Sequence, residues 1–200
     1  MKRTRMILCL LSVVLLVGTQ AAAQSDNDIR ETAFYFGAGY TYTPSKLNGV
    51  TGIVGGIINN NDFQASYTYG LDSTPKLYWY DANGDVESSL TYKRNSIGMK
   101  YGYQIRLTQG LAITPQLGMS YEQLTAKQES GNKDFGKGAD AWCATAGLKI
   151  FYSPVAHCAV FVSPEYKIPV AKDVYYEDIM KKTDIAEGGF VLHAGLLFCF

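Results

Sequence analysis

The sequence predicts an all-β fold, a closed antiparallel up-and-down barrel of about eight strands. Three observations predict it: an unusual richness in tyrosine, with 15 in 200 residues, a series of strand-length runs separated by turn residues, and faces that alternate between apolar and polar. Aromatic and β-branched residues favour strands, and the glycines within apolar segments disfavour helices.

Residues 1–23 have the composition of a secretory signal peptide. Lys2, Arg3 and Arg5 precede an apolar run over residues 6–17, and small residues lead to a predicted cleavage after Ala23. A retained membrane anchor is the alternative, but the apolar run is shorter than the roughly 20 residues that a spanning helix needs. The predicted organisation is a signal peptide at 1–23, a short polar lead at 24–32 and a barrel domain at 33–200.

The charge balance argues against nucleic acid as a partner. Cleavage removes three basic and no acidic side chains from a chain with 18 of each, so the mature chain has a net charge of about −3, without the basic face that such binding requires. Cys143, Cys158 and Cys199 are odd in number and match no metal motif. We interpret them as small apolar fillers of strands, and the sequence predicts no metal or other cofactor.

The mature chain divides into eight strand-like runs with alternately short and longer connections. The predicted strands are 33–43, 49–58, 62–80, 87–107, 111–128, 139–153, 158–170 and 187–200. The short connections, predicted to be periplasmic turns, are 59–61, 108–110 and 154–157. The longer, outer connections are 44–48, 81–86, 129–138 and 171–186, which places both termini on the periplasmic side.

Parity supports this division, because neighbouring residues of a strand face opposite sides of the sheet. The fourth to seventh runs each have one apolar face and one face of Gly, Ser, Thr and Gln with scattered charges, which suits a narrow barrel interior. Residues 49–58 show no clean parity; an even strand count favours a strand there over a loop or helix. The last run is apolar on both faces.

A soluble sandwich or a lipocalin-like barrel would also alternate, and the aromatic residues favour a membrane. They border the apolar face near its ends, where amphipathic rings fit the two lipid interfaces. These residues are Phe34, Phe36, Tyr40, Tyr42, Tyr67, Tyr69, Tyr103, Tyr121, Tyr152 and Tyr166. The predicted fold is therefore a transmembrane barrel.

Charged residues on the polar faces are predicted to form a network in the barrel interior. A charge in so narrow a space must pair or contact trapped water, since leaving it alone costs several kcal/mol. The predicted members are Lys100, Gln104, Arg106, Glu122, Lys149, Glu165 and Lys167, with His193 as an addition. A network that plugs the lumen is favoured over a proton or ion path.

The C-terminal segment, residues 190–200, resembles the terminal signature of bacterial outer-membrane barrels. That signature is an aromatic last residue preceded by apolar residues at alternate positions, here Leu192, Ala194, Leu196, Phe198 and Phe200. The resemblance implies that the barrel-assembly machinery recognises these residues and that the protein resides in the outer membrane of a Gram-negative bacterium. Over the mature chain, the sequence resembles the small eight-stranded barrels of the OmpA transmembrane domain, OmpX and OmpW type.

Catalysis is not predicted. A lipid-modifying barrel resembling the PagP palmitoyltransferase would need a histidine near the outer rim, but His157 lies in a predicted periplasmic turn and His193 within the last strand. No nucleophile motif, phosphate loop or metal-ligand spacing is present.

The hairpin over residues 71–92 is the most distinctive external feature. Its strands exceed the 9–11 residues that cross a bilayer, so they should protrude. Tyr78, Trp79 and Tyr80 precede its tip and could bind a host surface or a protein by strand addition; the alternative is that they pack within the hairpin or rest at the lipid interface. The predicted function is a non-enzymatic structural or surface-interaction role. The alternatives are a narrow channel for small solutes or ions and an accessory to envelope assembly or secretion.

Overall fold

The computed structural model describes residues 33–45, 47–71, 77–80, 86–128, 134–155, 157–174 and 188–200. Their secondary structure is entirely β, and no helix with the length and apolar character to cross a lipid bilayer occurs among these residues. The strands are β1 (Ala33–Tyr42), β2 (Gly49–Ile58), β3 (Asn61–Gly70), β4 (Leu77–Tyr80), β5 (Val86–Tyr103), β6 (Ile105–Arg106), β7 (Leu111–Gln128), β8 (Asp134–Val155), β9 (Cys158–Val174) and β10 (Gly189–Cys199).

The strands close into a single antiparallel barrel. Around the wall the pairs are β1–β2, β2–β3, β3–β5, β5–β7, β7–β8, β8–β9, β9–β10 and β10–β1, while β4 also pairs with β5 and β6 with β7. Because β3 and β4 form the two parts of one wall strand, and β5 and β6 another, the barrel has eight strands, as the sequence predicts. Closure leaves no edge along the barrel wall below the level of β4.

Three turns mark one end of the barrel, which we call the turn end, and the connections at the opposite end define the loop end. Asn59 and Asn60 both have positive φ, 49° and 65°, which is the two-residue hairpin turn that asparagine favours. His157, with φ of 66°, occupies the turn between β8 and β9. The predicted turns 59–61, 108–110 and 154–157 all lie at this end.

Two prolines interrupt the ladder without changing its register. Pro115 has no N–H to donate toward Tyr103, and the pairing of β7 stops between Gly102 and Ile105, which separates β5 from β6. Pro164 likewise cannot donate to Leu148, and the β8–β9 pairs at 148 and 149 are missing although the same register resumes on both sides. The predicted strand 87–107 is therefore split at Gln104.

The wall is much taller on one side. β5, β7, β8 and β9 contain 18, 18, 22 and 17 residues, whereas β1, β2 and β10 contain 10, 10 and 11. The predicted connection 129–138 was too long, because Lys127 pairs with Asp134 and β8 continues from there. The predicted start of the connection 171–186 was also too early, since Val174 still pairs with Ala139. Backbone pairing thus outweighs the turn preference of the glycines at 136 and 138.

Apolar side chains fill part of the lumen toward the turn end. This internal cluster consists of Tyr35, Ile53, Ile57, Ala112, Phe151, Ala159, Phe161 and Leu197. Gly55 makes room for it, because a Cβ at that position would overlap the Tyr35 ring. Residues 49–58 form a strand as predicted, and this cluster explains their missing parity: Ile53 and Ile57 face an apolar part of the interior while Val54 faces outward.

Candidate functional site in the barrel lumen

The inner and outer faces of the barrel have opposite character. The outer face is apolar and exposed, with Met99 at 72% and Leu117 at 68% of their full accessible area. The inner face holds charged and polar side chains that are almost fully buried, including Asp62 at 0% and Lys149 at 2%. A water-soluble barrel has the reverse arrangement, so the ionic groups in the lumen are the candidate site.

The first ionic cluster lies next to the apolar cluster. Lys149 forms an ion pair with Asp62 and donates hydrogen bonds to the Tyr35 hydroxyl at 3.0 Å and Gln64 Oε1 at 3.3 Å. The Asp62 carboxylate also accepts from the Tyr35 hydroxyl at 2.6 Å and from Gln116 Nε2 at 3.0 Å. Neither charge of the pair is left without a partner, which is the condition for burying both.

The second cluster is centred on Glu165. Lys100 is ion-paired with Glu165 Oε1, which also accepts a hydrogen bond from Ser163 at 3.2 Å. His193 Nε2 lies 3.5 Å from the other oxygen, Glu165 Oε2. On the opposite side of the ring, His193 Nδ1 lies 2.8 Å from Thr41 Oγ1, and a chain of hydroxyl contacts leads through Thr51 to Thr68.

The third cluster lies nearest the loop end. Glu122 is ion-paired with Arg94 through Oε2 and with Lys167 through Oε1, the latter at 2.5 Å. Ser120 donates a hydrogen bond to the same carboxylate at 3.3 Å. Leu124, two residues beyond Glu122 on the same face of β7, and Leu47, in the β1–β2 connection, are buried farther toward the loop end. These apolar side chains lie between the ionic groups and that mouth of the barrel.

Inward glycines provide the space for the long charged side chains. A Cβ at Gly118 would lie 2.8 Å from Lys100 Cγ, and one at Gly147 would lie 2.8 Å from Glu165 Cγ. Interiors are packed too closely to absorb such overlaps without displacement. The combination of Gly with scattered charges on one face is therefore a packing requirement of a narrow ionic lumen.

The structure places most of the predicted interior residues in these clusters. Lys100, Glu122, Lys149, Glu165 and Lys167 are buried ion-pair members, and His193 joins them. Gln104 is buried without joining an ion pair in the described part of the chain. The prediction that Arg106 lies in the interior was wrong. Arg106 is exposed in β6, because this two-residue strand lies at the rim of the barrel.

Two members of the ion pairs, Asp62 and Arg94, were absent from the predicted network. The signal for Asp62 is the parity of β3, in which one face is polar and the other apolar. Its inward face consists of Asp62, Gln64, Ser66, Thr68 and Gly70. Arg94 lies on the same face of β5 as Lys100, six residues nearer the loop end. Tyr35 carried no such signal, because its neighbours in β1 are also aromatic.

Exposed aromatic side chains lie near both ends of the outer face. Toward the turn end, Phe36 packs against Phe198 and Phe200, with ring centroids 5.6 Å apart in both cases, and Phe63 against Tyr101 at 5.2 Å. Toward the loop end, Tyr121 packs against Trp142 at 5.2 Å. The other exposed aromatic residues toward the loop end are Tyr40, Tyr42, Tyr67, Tyr69, Tyr166 and Phe190.

The apolar outer surface has a sharp border on the tall side of the wall. The last apolar row across β5, β7 and β8 consists of Ile97, Tyr121 and Trp142. The next row toward the loop end consists of Asn95, Gln123 and Asp140. The change from an apolar row to a polar row marks the level at which the surroundings of the wall change.

The remaining predicted sites lie in the last strand and in β4. Leu192, Ala194, Leu196, Phe198 and Phe200 share the outer face of the C-terminal segment. Phe200 is held by two backbone hydrogen bonds with Phe34, at 2.8 and 3.2 Å. Tyr78, Trp79 and Tyr80 lie in β4, which pairs with β5; the hairpin tip at 81–85 lies outside the described residues, as do the predicted signal peptide and lead.

The cysteines form no disulfide with one another in the described structure. Alternation places Cys158 on the outer face, while Cys199 and Cys143 point inward. Within the described ranges, no group of three or more His, Cys, Asp or Glu is arranged to hold a metal ion.

The chain has the fold of the small eight-stranded outer-membrane β-barrels. The structure is similar to a major outer membrane protein from Thermus thermophilus, with a TM-score of 0.62 and 12% identity over 86% of this chain and 100% of that chain. It is also similar to the N-terminal barrel domain of Pseudomonas aeruginosa OprF, with a TM-score of 0.50 and 12% identity over 86% and 98%. A third similar structure is Ail, the attachment invasion locus protein of Yersinia pestis, in complex with the heparin analogue sucrose octasulfate, with a TM-score of 0.50 and 13% identity over 84% and 100%. No protein-family model matches the chain, and no curated protein matches it.

Proposed function

We propose that this protein spans the outer membrane of a Gram-negative bacterium and acts there as a non-enzymatic surface-interaction protein. The observation that carries the membrane assignment is the reversed polarity, with exposed apolar residues outside and buried ion pairs inside. Lipid is the medium that makes such an outer face favourable. The border between the Trp142 row and the Asp140 row then lies at the membrane surface.

We propose that the loop end faces the cell exterior and the turn end the periplasm. Short periplasmic turns and longer outer connections are the rule in this class. In this orientation residues 1–23 serve as the export signal. The C-terminal segment then meets the assembly machinery from the periplasm, and its alternate positions from Leu192 to Phe200 form the recognition signal.

The tall side of the wall supports a role at the surface. At about 3.3 Å per residue, strands of 18 to 22 residues rise well beyond the 9–11 needed to cross the bilayer. β4 pairs with β5, and no second strand pairs with β4 in the described structure. A strand with a free edge can accept another strand from a partner, and Tyr78, Trp79 and Tyr80 lie on it.

Replacing Trp79 and Tyr80 with alanine should reduce attachment of cells that display the protein to a host-cell or protein-coated surface. Trp142→Ala is the matched control, since the chain has two tryptophans and Trp142 lies on the proposed lipid-facing surface. Attachment is measured by counting bound cells after washing, with equal surface display checked by antibody. Equal attachment of all three strains would refute the role of β4.

The closed lumen argues against the channel alternative. The apolar cluster with Phe161 and Tyr35 fills part of the interior near the turn end, and Leu47 and Leu124 are buried near the loop end. The ionic clusters between them are paired internally. Purified protein in a planar bilayer should therefore show no conductance steps, and reproducible steps that scale with protein concentration would support the channel instead.

A role as an accessory to envelope assembly or secretion remains a proposal of lower rank. No contact in the described structure favours it over surface interaction. Binding of the heparin analogue belongs to the Ail complex, and the likeness of that structure to this chain extends to the fold alone.

A further inference from the structure

Four buried side-chain oxygens line one part of the inner wall without a hydrogen-bond partner in the described part of the chain. They are Asn60 Oδ1, Gln104 Oε1, Gln116 Oε1 and Thr145 Oγ1. Gln104, Gln116 and Thr145 are 3, 3 and 4% exposed. Buried polar atoms nearly always have a partner, supplied either by protein or by bound water, because burying one without a partner costs free energy.

These atoms follow one another from the turn end into the middle of the lumen. Gln104 N–H donates to the Asn60 carbonyl at 2.7 Å, so the two residues are adjacent at the turn end. Gln116 comes next, with its Nε2 on Asp62 at 3.0 Å and its Oε1 unpaired. The register then places Gln116 in one row with Gly147 and Glu165.

Thr145 is the last member of the series. It lies two residues beyond Gly147 on the same inner face and pairs with Lys167 of β9. The series therefore ends between the second and third ionic clusters. Beyond Thr145, toward the loop end, the third ionic cluster comes first and the buried apolar residue Leu124 follows.

Among the described residues, apolar side chains leave this polar series accessible from the turn end. The apolar cluster with Phe151 and Phe161 occupies the other part of the lumen. Leu47, in the β1–β2 connection, is buried with 3% exposure at the loop end. Within the described part of the chain, the polar route along Asn60, Gln104 and Gln116 is thus continuous with the turn end alone.

We propose that this series is a binding site for a file of water molecules that enters from the turn end and stops near Thr145 and Glu165. Water fits because it both donates and accepts, and an internal water makes two to four hydrogen bonds with such groups. Each water would donate to an amide oxygen and to the next acceptor, and the Thr145 hydroxyl would donate to or accept from the last. The site gives Glu165 contact with solvent from one side of the membrane only.

The chain provides a matched comparison for the test. Thr51 is as buried as Thr145, at 1%, but its hydroxyl contacts both Thr41 and Thr68. In water-edited solid-state NMR of the full-length mature protein in lipid bilayers, magnetisation from water should build up several-fold faster on the Thr145 and Gln116 side chains than on Thr51. Equal build-up on Thr145 and Thr51 would overturn the proposal.

A second measurement tests the direction of entry. Gln104→Leu removes the amide oxygen near the turn end and should slow the transfer to Gln116 and Thr145, whereas Leu124→Ala near the loop end should leave it unchanged. Unchanged transfer in Gln104→Leu together with faster transfer in Leu124→Ala would refute entry from the turn end. If Gln104→Leu does not fold, the comparison within the unmodified protein still decides whether water is bound.

Discussion

At the residue scale, the buried ion pairs show how a polar interior is tolerated. The Asp62 carboxylate has three partners, Lys149, Tyr35 and Gln116, and is completely buried. Such a pair adds little net stability compared with apolar residues of the same volume, but removing one member leaves the other charge uncompensated. These pairs therefore determine how the lumen packs more than they drive folding.

Asp62→Ala should lower the free energy of unfolding by about 3–5 kcal/mol, because the Lys149 ammonium loses its counter-ion in a buried position. The free energy is measured by urea titration of the protein folded in lipid vesicles, with unfolding followed by tryptophan fluorescence. The double variant Asp62→Leu/Lys149→Met should recover most of this loss, since it removes both charges. A single variant as stable as the unmodified protein would show that the pair is not buried as described.

The composition of the lumen was predictable at this scale, and part of its network was not. Parity alone identified five buried ion-pair members, Lys100, Glu122, Lys149, Glu165 and Lys167. Asp62 has the same signal in β3. The partner of each charged residue depends on how strands distant in sequence are shifted along one another. Parity contains no information about that shift.

At the element scale, the prolines determine where the wall is weakened. Pro164 lies within a continuous register and withholds one hydrogen bond from Leu148, whereas Pro169 lies just beyond the end of the β9–β10 pairing. Both residues lack a backbone N–H group. Of these two prolines, only Pro164 leaves a missing hydrogen bond between two paired segments.

Pro164→Ala should restore the missing hydrogen bond and stabilise the β8–β9 pair by about 0.5–1.5 kcal/mol. Amide hydrogen exchange of Leu148 and Ile150, followed by NMR in detergent micelles, should become slower. Pro169→Ala is the control and should leave those two amides unchanged. Exchange rates that are the same in all three proteins would mean that the gap at Pro164 is already closed by another donor.

The strand count and most strand positions followed from the sequence, but the upper ends of β8 and β9 did not. Residues 49–58 were identified from the even strand count alone, since the apolar lumen beside Ile53 and Ile57 removes their alternation. The start of β8 at Asp134 was missed because its glycines indicate a turn. Pairing with β7 holds this segment in the sheet, and that pairing is a tertiary effect.

At the scale of the whole molecule, the medium around the barrel decides how the outer face behaves. Leu117 is 68% exposed, so in water its replacement by a charged residue would cost little. In the bilayer interior an arginine on the lipid-facing side of a barrel costs about 2–4 kcal/mol. The two media therefore give different outcomes for one substitution.

Leu117→Arg should lower the free energy of unfolding in lipid vesicles by about 2–4 kcal/mol. Gln123→Arg, on the same face of β7 but beyond the border row, should change it by less than about 1 kcal/mol, because the penalty falls toward the interface. Both are measured by the same urea titration. Equal stability of the two variants would mean that lipid does not surround the Leu117 level of the wall.

The unequal strand lengths also make the two sides of the mouth at the loop end different for an approaching molecule. β1, β2 and β10 end low, while β5, β7, β8 and β9 continue upward as a partial screen. Among the described strands, a large ligand meets none above the ends of β1, β2 and β10, whereas on the opposite side it meets β5, β7, β8 and β9. Two neighbouring copies in a crowded membrane therefore present either the tall or the low side of the wall to one another, although each barrel is closed below the border.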